Sequence, residues 1–431
     1  MKQKILNQKN YTLKYGNTEI SFFLNPKNVI SVLELKNKSY PKIKNLKDEF
    51  INSLDNPLGS ISLKKLVSKI KPKKIVVVVE DITRANPYYP ELLKILFKYL
   101  PEQYRKRLMF LIALGTHRPH SKNDNIKVYG EEIVKKCKFI NHNCDSDKLN
   151  KYIGTTSFGN KIFINKNAVD ADLVIFTGSI DTHSFAGYSG TRKSILPGIA
   201  ARKSITFNHS FVVDENSTMG NVENNKINLD MIESTNLFLK NRNTFFINFI
   251  KNYKKELVKI LSGEFSAVYS KGIEIAKKLF SVPIKKLSDV TIVSCGGYPR
   301  DINLYQAQKG LTCATLTTKI GGTIILVAEC SEGIGQKIFA DWLTKKSLNE
   351  ILHTKQHKII VEGHRAYLTA KILQNYHCIL VSKIAKDTVR KLKFHYARDI
   401  NEAICKINKK YKNKYRCYII PNGSSILPIK K

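Results

Sequence analysis

Two hydrophobic rhythms alternate along the chain. Residues 75–80 (IVVVVE), 109–114 (MFLIAL) and 172–177 (DLVIFT) are continuous apolar runs, which read as strands buried on both faces. Stretches such as 91–99, with apolar residues three and four apart, predict helices. A polar, Asn-rich middle follows, with a surface loop at 214–226 (DENSTMGNVENNK) and amphipathic helical stretches as far as 279. The rhythm then restarts, with strands expected at 290–294, 323–327, 378–381 and 418–420 and helices over 303–317, 334–345 and 366–373. This succession predicts an α/β fold: two α/β domains with mostly parallel sheets. The expected division is residues 1–284 and 285–415, with a last strand in 416–431 joining either part. No internal repeat is visible.

The loops richest in Gly, His, Arg and Lys follow the carboxyl ends of the expected strands: DITR, GTHRPH, THSFAGYSGTRKS and GGYPRD. Open α/β sheets bind ligands along that edge. The expectation is therefore an active site built from these loops, in the cleft between the domains. Loops between buried elements are polar in any case, but that alone does not account for the crowding of histidine and basic residues into these few.

Composition narrows the picture. The chain has 431 residues, enough for two cores, with 42% apolar and 25% charged residues. No export signal is apparent at MKQKILNQKN and no apolar run approaches a membrane span, so a cytoplasmic protein is the default expectation. The eight cysteines form no CxxC pair, which argues against a zinc ribbon. The net charge of +37 raises nucleic acid as a partner. The lysines are spread along the whole chain among Asn and Ile, however, as a compositional bias spreads them. A non-catalytic binder of an anionic nucleotide or nucleic acid stays as the alternative reading.

His117 and His183 each stand a short step beyond a strand, in Gly-containing loops, and His209 follows in ITFNHSF. Imidazole titrates near neutrality, and when neutral it is a common ligand for nickel, zinc and iron. In AGYSGTRKS (186–194), glycines, backbone amides, Arg192 and Lys193 suit an anion. The spacing is not that of a P-loop; Lys193 suits a phosphate clamp, a covalent anchor or a solvated surface position. Asp81, Ile82, Thr83 and Arg84 directly follow a strand, and an arginine fork grips carboxylate or phosphate. In GGYPRDINLYQAQKG, Gln306 and Lys309 share a helix face, the plain alternative being a helix start capped by Asp301. His353 and His357 are spaced for a helical metal pair but lack a carboxylate partner. His364 and His395 have no telling context, and His120 and His142 lie near the first histidine motif.

These strings resemble, in order and spacing, the LarA-type nickel-pincer lactate racemase family. EDITRANP, ALGTHRPH, DTHSFAGYSGTRKSILPG and GGYPRDINLYQAQKG are similar to its signatures, and His209 stands where the family places its metal-binding histidine. The chain departs from the commonest pattern at Glu80, before the Asp81 motif, and at Thr191, where glycine is frequent.

The resemblance implies a racemase or epimerase of a small 2-hydroxy acid, lactate or a related 2-hydroxycarboxylate. It implies a nickel-pincer nucleotide (a Ni(II)-pyridinium-3,5-bisthiocarboxylic acid mononucleotide) joined to Lys193 as a thioamide, with His209 as a nickel ligand. Asp81, Ile82, Thr83 and Arg84 would hold that cofactor. His117 and His183 would be paired acid/base residues, and Gln306 and Lys309 would bind substrate. Pincer-biosynthesis enzymes would be maturation partners. Hydride transfer to the pincer avoids deprotonating a very weakly acidic C2–H, and two bases serve a two-way inversion. A redox enzyme of the same fold that releases the 2-oxo acid is a third possibility.

Overall fold

The valine- and isoleucine-rich runs form central strands, where both of their faces meet other apolar side chains. The computed structural model describes residues 8–35, 40–84 and 86–430. Ala85, within the Asp81 motif, and the first seven residues lie outside the described residues. Among the described residues, no helix is long and apolar enough to cross a membrane.

The chain divides into two units, Asn37–Leu279 and Met1–Lys36 with Phe280–Lys431. The first has a six-stranded sheet in the order Leu257–Gly263, Thr244–Lys251, Leu173–Ile180, Ile75–Glu80, Leu108–Ala113, Lys138–Asn141. All pairs are parallel except the Leu257–Gly263 edge. Val77, Val79, Ile112, Ile175 and Ile247 pack in one cluster with Phe50, Val67, Tyr89 and Leu93, which the helices Leu46–Asp55, Leu63–Ile70 and Tyr89–Tyr99 contribute. The stretch from 226 to 280, expected to be helical, contains two helices, Lys226–Leu239 and Phe265–Phe280. Between them lie the strands Thr244–Lys251 and Leu257–Gly263.

The second unit has an all-parallel six-stranded sheet: His395–Ala397, His377–Val381, Thr318–Val327, Ser288–Ser294, Cys417–Ile420, Val29–Val32. Its membership differs from the expected 285–415 because the N-terminal segment crosses over. Val29–Val32 pairs with Cys417–Ile420, and the antiparallel hairpin Lys9–Tyr15/Thr18–Leu24 buries Tyr11, Leu13, Phe22 and Leu24 against Ile292 and Ile325. The last strand, Leu427–Lys430, pairs with Ser281–Ile284 in the same unit.

Candidate active site

In the 37–279 unit the chain runs from Ile75–Glu80 outward through Leu108–Ala113 to Lys138–Asn141. It then returns to the other flank of Ile75–Glu80 as Leu173–Ile180. The strand order thus reverses between Ile75–Glu80 and Leu173–Ile180, and ligands of open α/β sheets bind beyond the carboxyl ends at such a reversal. Asp81 continues one of these strands and the His183 loop continues the other. The His117 loop follows the adjacent strand Leu108–Ala113. Glu80 ties the two central strands together, since its carboxylate accepts from Ser179 N at 2.7 Å and Ser179 Oγ at 2.8 Å. Ser189 and Ser194 donate back to Ser179 O (2.8 Å) and Thr177 O (3.0 Å), pinning the glycine-rich loop against the strand it leaves. Gly115 N donates to Gly198 O at 2.9 Å, joining the His117 loop to the end of that segment.

Asp81 and His117 form a directed pair. His117 Nδ1 lies 2.5 Å from Asp81 Oδ2, and Thr83 Oγ1 donates to the other carboxylate oxygen at 2.7 Å. Burial alone would raise the Asp81 carboxyl. The hydrogen bond and charge of His117, with Arg84 and Thr83, outweigh it and hold Asp81 below its ordinary range. An ionised carboxylate only accepts, so His117 carries its proton on Nδ1 and, while neutral, presents a lone pair at Nε2. The turn beneath them is fixed by His120, whose Nε2 accepts from Ile82 N at 3.0 Å. Arg84 is solvent-exposed.

His183 and Lys193 also meet: Lys193 Nζ lies 2.8 Å from His183 Nε2, and Ala186 N donates to His183 Nδ1 at 3.2 Å. Lys193 is buried at 8% exposure, which removes the solvated-surface reading. Arg192 is fully buried, donates to Ala186 O (2.9 Å) and Tyr188 O (3.0 Å), and lies over the Tyr269 ring, so it braces the loop from inside. Thr191 adopts φ 39°, a strained conformation for a β-branched residue, and Asn248 Oδ1 holds its amide at 2.8 Å.

His209 lies near the end of the helix Arg202–Ser210. Asp230, fully buried on the helix Lys226–Leu239, accepts from Thr156 Oγ1 (2.7 Å), Asn160 Nδ2 (2.8 Å) and Asn208 Nδ2 (2.8 Å). With its amide so occupied, Asn208 turns its oxygen to His209 Nδ1 at 3.1 Å. That contact selects the Nδ1–H tautomer and puts the neutral ring's lone pair on Nε2, as a metal-ligating imidazole requires. Phe185 packs edge-on against both His183 (4.5 Å between centroids) and His209 (5.3 Å). Sequence reasoning missed Phe185, Asn208 and Asp230. Phe185 sits inside a motif already singled out, whereas Asp230 carries no local signal.

His142 has a structural place. Its Nε2 donates to Ala200 O at 2.9 Å and Asn165 Nδ2 donates to its Nδ1 at 3.1 Å. Burial, partly offset by the Ala200 bond, lowers it from 6.5 to about 4. A histidine buried neutral contributes stability that is fully present above the ordinary value of 6.5 and lost as pH falls toward about 4, because the unfolded chain then binds the extra proton. Unfolding free energy should fall by about 3 kcal/mol across that window from this residue alone. Denaturant titrations at several pH values should show His142→Asn with a flatter acid limb than the wild type.

Gln306 and Lys309 belong to the other unit, on the helix Leu304–Thr315, where Lys309 Nζ donates to Gln306 Oε1 at 2.9 Å. The sheet order of this unit reverses between Ser288–Ser294 and Cys417–Ile420, so GGYPRD leaves a switch point here too. Asn303, not Asp301, caps the helix; Asp301 instead accepts from Gly16 N (2.8 Å) and Glu329 N (3.2 Å). His353 and His357 share no helix: Leu348–Leu352 ends before the first, and the second lies in the turn Gln356–Lys358. Among the described residues no group of three or more His, Cys, Asp or Glu is placed to hold a metal.

Oriented imidazoles, a buried lysine and a carboxylate at a switch point define an α/β enzyme equipped for proton transfer. Residues 15–220 match the model of the lactate racemase N-terminal domain, and residues 284–428 that of the C-terminal domain. The chain is 35% identical to a lactate racemase of Lactiplantibacillus plantarum over 386 residues, covering 87% of this chain and 89% of the relative. It is 32% identical to that of Thermoanaerobacterium thermosaccharolyticum over 426 residues, covering 97% and 99%. The solved lactate racemase apoprotein from the latter organism superimposes with a TM-score of 0.90 at 31% identity, covering 98% of this chain and 100% of that one. The chain belongs to the lactate racemase family. It is an isomerase of the racemase class.

Proposed function

We propose that this protein interconverts the enantiomers or epimers of a small 2-hydroxycarboxylate, using a nickel-pincer nucleotide carried on Lys193. Lactate, the acid in the names of both sequence relatives, is the first substrate to try. The observation that carries the reading is the pair of imidazoles on the strand-end loops that flank Ile75–Glu80 in one sheet: His117 oriented by Asp81, and His183 bonded to a buried lysine. The side chains fit the group: a buried amine suits a covalent anchor, and His209 is held in the tautomer that offers Nε2 to a metal.

In this reading Lys193 carries the nucleotide, His209 holds nickel, and Asp81, Ile82, Thr83 and Arg84 keep the cofactor in place, Arg84 by its charge. When bound, the group supplies a reversible hydride acceptor, which spares the enzyme a carbanion at C2. His117 and His183 exchange the substrate hydroxyl proton, one for each enantiomer. Lys309 pairs with the substrate carboxylate beside Gln306. The enzyme works in the cytoplasm and is matured by pincer-biosynthesis enzymes.

The test is a chiral assay of pincer-loaded protein on lactate, malate, and longer aliphatic and aromatic 2-hydroxy acids, with intact mass measured on the same sample. One enantiomer of at least one acid should become a mixture of both, and Lys193 should carry the cofactor mass. Accumulation of the 2-oxo acid in place of the opposite enantiomer would make the protein an oxidoreductase.

A further inference from the structure

The contact between His183 and Lys193 fixes two protonation states together. The Ala186 N–H points at His183 Nδ1 from 3.2 Å, so that nitrogen is an acceptor and a neutral ring carries its proton on Nε2. Lys193 Nζ lies 2.8 Å from this same Nε2. An ammonium has three donors and no acceptor, so it cannot face an N–H; a neutral amine, with its lone pair, can. Lys193 itself is buried. The Phe185 ring, edge-on against His183 at 4.5 Å, adds an apolar neighbour.

We infer that His183 is a positioning residue for Lys193, storing it as the neutral amine that covalent attachment of the nucleotide requires; this rests on reading Lys193 as the attachment point. An ordinary lysine at pH 7 is neutral in only roughly one molecule in 10³, so the store removes most of that handicap. Attachment needs no oxidant or reductant. The nitrogen lone pair forms a C–N bond to the thiocarboxylic carbon, the C–O bond breaks, and oxygen leaves as water with one proton from the acid and one from the amine. The resulting thioamide nitrogen has an N–H but no available lone pair. It no longer accepts from His183 Nε2, and attachment therefore frees that imidazole from the lysine. His183 thus first keeps the anchor reactive; to take a substrate proton at Nε2 afterwards, its ring must give up the Ala186 N–H contact and carry its own proton on Nδ1.

The test uses the full-length unloaded protein with ¹³C-labelled lysine, the Lys193 signal being the one lost in Lys193→Met. At pH 7 the wild-type Lys193 Cε resonance should sit at the neutral-amine position. In His183→Gln, whose carboxamide oxygen accepts from an ammonium, it should move to the ammonium position. Cyanate reacts only with the neutral amine, so carbamoylation of Lys193, followed by peptide mass spectrometry, should slow by about tenfold or more in that variant. An ammonium signal in the wild type, or equal carbamoylation in both proteins, overturns the inference. An ammonium signal together with a covalent cofactor addition leaves the attachment reading intact. A neutral, reactive Lys193 that never gains the addition refutes attachment and leaves the pairing standing.

Discussion

Replacing Asp81 with Asn should lower turnover per bound nickel by roughly 10⁴-fold, the size of effect seen when a catalytic histidine is held in the wrong tautomer. Asp81 accepts twice, from Thr83 Oγ1 and from His117 Nδ1. An asparagine has one acceptor. If its oxygen keeps Thr83, its amide faces His117 Nδ1 and drives the ring proton to Nε2, where the basic lone pair is needed. His117→Ala removes the base altogether and should cost a similar factor, about 10²–10⁴. KM should change much less than kcat in both variants. The check is steady-state kinetics on samples matched for nickel content. A kcat within a few-fold of wild type would remove His117 from the proton path.

Asp230→Ala should be the most damaging single change outside the proposed proton path. It strips the acceptor from Thr156, Asn160 and Asn208, all of them buried. Burial pushes the Asp230 carboxyl up, and these three donors pull it only part of the way back. Leaving several buried donors unsatisfied should cost about 3–5 kcal/mol, or a fall of roughly 10 °C in the thermal midpoint. Asn208, left with only its bond to Ile227 O (3.0 Å), would hold the His209 tautomer less firmly, and nickel affinity should drop by about 10–100-fold. Asp230→Asn keeps one acceptor and should be milder on both measures. Calorimetry and metal analysis of the two variants check this. An Asp230→Ala protein as stable as wild type and with full nickel retention would separate the network from the metal site.

The parts of the site that were legible in the sequence are those with short-range causes. Ile75–Glu80 and Leu173–Ile180 are buried on both faces, so their apolar runs stand out, and the loops that leave them put Asp81 and His183 at the strand ends. Thr244–Lys251 is buried almost throughout, yet it carries Asn248, whose carbonyl holds Thr191 N some sixty residues away. A polar residue kept for one distant contact interrupts the run that would have marked the strand. Leu257–Gly263 is an antiparallel edge with Lys259 paired outward to Glu49, so its pattern is weaker still. The N-terminal strands were missed because what they pack on is far off in sequence: Val29–Val32 pairs with Cys417–Ile420, and the hairpin covers Ile292 and Ile325. Within the site, the tautomers of His117, His183 and His209 depend on Asp81, the Ala186 backbone and Asn208. Only folding brings the first of these to its histidine, across 36 residues.

Inversion by the proposed route moves the C2 hydrogen of the 2-hydroxy acid as hydride. The most direct measurement is to supply pincer-loaded enzyme with one enantiomer of lactate deuterated at C2, in ordinary water, and to read the deuterium content of the opposite enantiomer by mass spectrometry after chiral separation. The inverted product should keep its deuterium at C2. Product carrying solvent hydrogen at C2 would mean that the hydrogen leaves as a proton, and would contradict the hydride route.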